Sequence, residues 1–97
     1  MELIYIKGYL KIDTDDEDIL ITSLQKAAEE YLTNAGVIKN YTKELYKLAV
    51  LMLISHWYEN RRIVIVGSIS KEIEMSLSPL ILQLKYTQET IVWIQAN

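Results

Sequence analysis

The stretch Lys43 to Arg62, KELYKLAVLMLISHWYENRR, constrains this chain more than any other. Leu45, Leu48, Ala49, Met52, Leu53, His56 and Trp57 recur at the three-four spacing of one helical face. Val50, Leu51, Ile54 and Tyr58 occupy most of the other faces. A helix that is apolar nearly all round has to be buried on several sides. At a rise of 1.5 Å per residue, such a stretch spans roughly 30 Å. A chain of 97 residues does not easily wrap that rod alone, so the sequence predicts a soluble helical domain that associates with a partner surface.

The remaining bounds are broad. Ninety-seven residues make one domain. Hydrophobic residues are 51% and charged residues 24%, the balance of a globular chain rather than a disordered one. The net charge of −3 argues against a dedicated nucleic-acid binder. The absence of cysteine excludes disulfides and thiolate metal sites, and fits an intracellular origin. No signal peptide is recognisable, and the longest apolar run, Leu48 to Ile54, is too short for a membrane span.

Taken in order, Met1 to Lys11 reads as a short helical or extended arm docked on the domain. Thr14 followed by Glu17 has the spacing of a capping box, and the carboxylates around it suit the positive end of a helix dipole. The helix that follows runs to about Asn34 on an apolar stripe of Leu20, Leu24, Ala27, Ala28, Tyr31 and Ala35, and stops at Ala35-Gly36. Thr42 is the expected cap of the central helix, antiparallel to the first across a short connection. Ile63 to Val66 is a β-branched run, Gly67-Ser68 is a turn signal, and Ile69, Lys71, Ile73, Met75 and Leu77 alternate. That pattern predicts a β-hairpin. Ser78-Pro79 opens a short last helix that ends near Tyr86.

The expected fold is therefore mainly α: two long antiparallel helices plus a short C-terminal helix, with a hairpin between helices 2 and 3. Its domain covers residues 1–87, and residues 88–97 form a tail. Core positions are Leu24, Tyr31, Leu48, Met52 and Trp57. A two-stranded hairpin is marginal by itself and its edges invite pairing, which makes Ile63, Ile65, Ile69, Ile73 and Met75 the expected subunit interface. Val92, Trp93 and Ile94 crowd the terminus and are expected to dock on the domain or on a partner.

No chemistry is expected. Asp13, Asp15 and Glu17 alternate like a calcium loop, but Asp18 and Leu24 stand where such a loop needs Gly and Glu. His56 is the sole histidine and has no Cys or second His with which to hold zinc. No nucleophile-elbow motif accompanies it. The expectation is a packing residue, no cofactor and no enzyme. Lys39, Lys43, Lys47, Arg61 and Arg62 would support a rival, a small helical DNA-binding or regulatory module. The net acidity opposes it.

Four segments in order carry a resemblance. They are Tyr9-Leu10-Lys11-Ile12-Asp13 before the acidic Asp15–Asp18, Ala27-Ala28-Glu29-Glu30-Tyr31, Leu48-Ala49 through His56-Trp57-Tyr58-Glu59-Asn60-Arg61, and Val66-Gly67-Ser68 with Ser78-Pro79 to Leu84 and Tyr86. Together they resemble the small head–tail connector proteins of long-tailed bacteriophages and prophages, across roughly Leu3 to Tyr86. Lys11 stands where that family usually has Arg, and Thr87 where Arg often follows the tyrosine. The resemblance implies a virion structural protein at the head–tail junction. Such a protein would form a homo-oligomeric ring, dodecameric on the portal, with a free form that is monomeric. It would bind the portal protein and the next head-completion or tail protein. Double-stranded DNA would pass through without sequence-specific binding, and no membrane is involved.

Overall fold

The computed structural model describes residues 1–60 and 68–96, with side chains described through residue 88. Four helices follow one another: α1 Leu3–Leu10, α2 Asp18–Asn34, α3 Glu44–Glu59 and α4 Lys71–Ala96. The helix α3 is the hub, packing on α2, on α4 and on α1.

The face that α3 buries is Tyr46, Ala49, Val50, Leu53, Ile54, His56 and Trp57, with Leu51 beside it. This corrects the expected stripe, which shares only Ala49, Leu53, His56 and Trp57 with it. An apolar residue occurs on almost every side of this helix, so the sequence pattern fits more than one rotation. The rotation adopted buries the Tyr46 ring and leaves Leu48 42% exposed. Of the expected core positions, Leu24 and Trp57 are buried, Tyr31 and Met52 are half-buried, and Leu48 is corrected to the surface. The facing side of α2 is Ile21, Leu24, Ala28 and Leu32 at i, i+3, i+7 and i+11.

The helix α2 ends where expected, and the structure shows how. Gly36 has φ +94, its N–H donates to Thr33 C=O, and the Val37 N–H donates to Leu32 C=O. These are the two bonds of a Schellman motif, with its apolar contact made by the buried Val37 and Leu32. The starts differ from expectation. Neither Thr14 nor Thr42 caps a helix: α2 begins after Glu17 and α3 after Lys43, both without a side-chain cap bond. The Thr42 hydroxyl and N–H both turn to the Asn40 carbonyl oxygen Oδ1, because an Asx turn competes for the same groups. The Glu17 carboxylate, which a capping box would turn back on its own helix, accepts from the Tyr58 hydroxyl of α3.

The predicted hairpin is overturned. There is no strand among the described residues. Its first strand, with Ile63 and Ile65, lies outside the described residues. Its second is helical from Lys71, and the expected short last helix is the continuation of the same element to Ala96. The reason is a second period hidden in the same residues. Ile73, Leu77, Leu80, Ile81, Leu84 and Gln88 fall at i, i+4, i+7, i+8, i+11 and i+15, and within that set Leu77 and Leu84 are buried. Glu72 and Glu74 in the first turn suit the helix dipole. Pro79 therefore lies inside α4 rather than opening it, on a side turned to solvent.

Helix α1 is bound differently. It buries one residue, Ile6, and half-buries Leu3 and Leu10. Lys7 adds an ion pair to Asp15 at 2.8 Å and to Asp18 at 2.9 Å, tying α1 to the start of α2. The hydrogen bond from Lys7 holds the Asp15 carboxyl below its ordinary value of 3.8. The same two carboxylates, Asp15 foremost by its hydrogen bond, hold Lys7 above its ordinary 10.5. A depressed carboxyl stabilises the fold above its unfolded pKa and ceases to as pH falls through its folded value. Amide exchange should therefore quicken in α1, relative to α3, as pH drops below about 4, and Asp15→Asn should blunt that response. Gly36→Ala should lower stability by about 1–2 kcal/mol in urea unfolding, because the left-handed backbone disfavours a Cβ. The new Cβ would also lie 3.2 Å from Lys85 Cε.

Candidate interface surfaces

The end of α3 fixes where α4 begins. Trp57 is buried with its ring edge-on to Tyr31, centroids 6.2 Å apart, and its indole Nε1–H donates to Ser68 C=O at 2.7 Å. Its neighbour His56 turns Nε2 to the Ser70 N–H at 3.4 Å, while the Asn60 side-chain amide caps His56 C=O at 2.8 Å. Two adjacent side chains thus grip one backbone acceptor and one backbone donor of the segment entering α4. The histidine is a structural acceptor in this arrangement. No group of three or more potential ligands among the described residues is placed to hold a metal.

Farther along, at Gln88, α4 is fastened to the α2–α3 connection. The Gln88 side chain donates through Nε2 to Gly36 C=O at 2.7 Å and accepts the Ile38 N–H at 2.9 Å. This residue lies beyond the expected domain limit at 87, and α4 crosses that limit without a break. The connection is also braced from α2. Tyr41 donates to the Glu29 carboxylate and accepts from Gln25 Nε2 at 3.1 Å, while Lys39 pairs with Glu29 at 3.4 Å. The Tyr41 ring meets Tyr46 edge-on at 5.1 Å. Burial, with the charge of Glu29 adding to it, pushes the Tyr46 hydroxyl up to about 12.

With α4 held at its start and again at Gln88, its outer side is defined. Met75, Pro79, Leu82 and Tyr86 recur at i, i+4, i+7 and i+11, and all are exposed, Met75 to 71%, Leu82 to 69% and Tyr86 to 70%. At about 100° per residue this stripe lies roughly opposite the Leu77–Leu84 stripe that meets α3. An isolated exposed apolar residue needs no explanation, but an aligned row of them marks an interaction surface. Sequence reasoning placed Met75 at an interface, but on a strand. It missed Leu82 and Tyr86, which the helical period alone would have aligned with Met75. Ile69 and Ile73, expected beside Met75, are half-buried, with Ile69 packed against the core. Val92, Trp93 and Ile94 lie outside the described side chains.

A second surface lies on α1. Leu3, Ile4, Gly8 and Ile12 wall an open groove of about 530 Å³, with Lys7 inside and Asp13 and Asp15 at its rim. Gly8 sits within a helix, and a Cβ placed on it would meet nothing within 4 Å. Glycine there costs about 0.5–1 kcal/mol relative to alanine. Among the described residues nothing closes on that position.

A profile of the family described as Phage gp6-like head-tail connector protein matches residues 1–85. No curated protein and no solved structure matches the chain. The grip of α3 on residues 68–70 can be tested directly. Trp57→Phe removes the indole donor from the Ser68 carbonyl and leaves a void where the buried indole stood. It should lower stability by about 2–4 kcal/mol in thermal or urea unfolding.

Proposed function

We propose, because this chain belongs to the phage gp6-like head-tail connector family, that copies of it form a closed ring beneath the portal, dodecameric when seated there. The ring extends the DNA channel and docks the next head-completion or tail protein. The protein acts as a structural element of the virion at the head–tail junction, not as an enzyme. The observation that carries this reading, beyond membership, is the exposed apolar row of Met75, Leu82 and Tyr86 on α4. It lies opposite the side of α4 that the domain itself uses. A contact between unlike faces, repeated around a rotation that closes, yields a ring. The chain's net charge of −3 suits a channel through which DNA slides.

Purified protein mixed with portal particles should give rings visible by electron microscopy, at a stoichiometry read by native mass spectrometry. Duplex DNA should bind weakly at physiological salt. A protein that stays monomeric with and without portal at every concentration would overturn the proposal. Tight DNA binding with a steep salt dependence would favour the helical DNA-binding alternative.

A further inference from the structure

We propose that the groove beside Gly8 on α1 receives the outward stripe of α4 from a second copy of this chain. This rests on the ring reading and names the two faces that would meet in it. The first support is Gly8 itself. A glycine inside a helix weakens that helix, and it is retained where another backbone or a bulky group has to come close. The space over Gly8 is open within the domain. The close approach that would explain it therefore comes from outside.

The second support is shape and placement. The groove is concave and walled by Leu3, Ile4 and Ile12. The α4 stripe is a convex row of side chains at the spacing with which helices enter apolar grooves. The two lie on different helices, α1 packing on α2 and α3 and α4 packing on α3. A molecule with a socket on one side and a matching ridge on another joins head to tail.

The third support is charge. The groove rim carries Asp13 and Asp15, and Asp15 keeps 91% of its side chain exposed despite its pairing with Lys7. Lys71 is exposed one turn before Met75 on the same side of α4, with Glu72 on the other flank. A ridge entering with Lys71 toward the aspartates places its cation at the acidic rim. That selects one of the two directions in which a helix can lie in a groove.

The chain has no cysteine, so single introduced thiols are unambiguous probes. Full-length Ile12→Cys and Met75→Cys, mixed and treated with a short bis-maleimide in the presence of portal, should cross-link to each other, since Met75 lies one helical turn from Lys71. Each variant alone should give little cross-linked dimer. Adding Gly8→Leu to the Ile12→Cys chain should cut the yield at least tenfold. Gly8→Ala should raise the urea midpoint of the isolated chain while lowering the cross-link yield, a pairing of effects that a purely internal role for Gly8 would not give. Equal yields from mixed and unmixed variants, or a yield indifferent to Gly8→Leu, would overturn the contact. Rings that assemble on the portal without the 12–75 cross-link would overturn it and leave the ring standing. No assembly in any mixture would overturn both.

Discussion

The burial of α3 is the constraint from which the remainder follows. Eight of its 16 residues are buried, on sides that no single neighbour can cover. The helix α2 covers one side along its length, α4 a second, and α1 a third. Each of the three can therefore present only part of its own surface to the hub. For α2, with one apolar stripe, that suffices. For α4 and α1, which carry apolar residues on two sides, it leaves an apolar face in water.

Polar fastenings then decide where the covering helices lie. Apolar packing sets that two helices touch but only weakly sets their offset along the axis. Here the offset is fixed by directional bonds at the ends: Trp57 and His56 to the backbone of residues 68–70, Gln88 to the backbone of residues 36–38, and Lys7 to two carboxylates. The tryptophan, histidine and glutamine bonds join a helix to a connection, whereas Lys7 reaches both Asp15 in a connection and Asp18, the first residue of α2. One of the four segments that carry the family resemblance, Leu48-Ala49 through His56-Trp57-Tyr58-Glu59-Asn60-Arg61, contains two of these fasteners. A third member, Tyr58, reaches the start of α2 through Glu17.

Much of this architecture was legible in the sequence, and the failures have physical causes. The two long helices and the stop at Gly36 were readable, because a 3.6-residue period and a left-handed glycine are local signals. The buried face of α3 was not, since Tyr46, Val50 and Ile54 compete with Leu45, Leu48 and Met52 and only tertiary packing chooses. Residues 69–77 satisfy a two-residue and a 3.6-residue period at once. A proline after serine suggested a helix start, whereas packing of Leu77 and Leu84 on α3 carries the helix straight through it. Met75, expected at an interface on a strand, lies instead on the exposed side of α4. The α1 groove gave no sequence signal beyond an unexplained glycine. The fasteners His56, Trp57 and Gln88 act on backbone groups distant in sequence, which no residue pattern reveals.

Pro79 has one more effect. Having no N–H, it cannot donate to the carbonyl of Met75, the residue four positions earlier in the same row. The Met75 carbonyl thus lacks its usual ladder donor, on the outward side of α4. Oily contacts slide easily past one another, but a lone acceptor rewards only the alignment that brings it a donor. The imino acid that interrupts the helix ladder thereby gives an otherwise slippery surface a single notch.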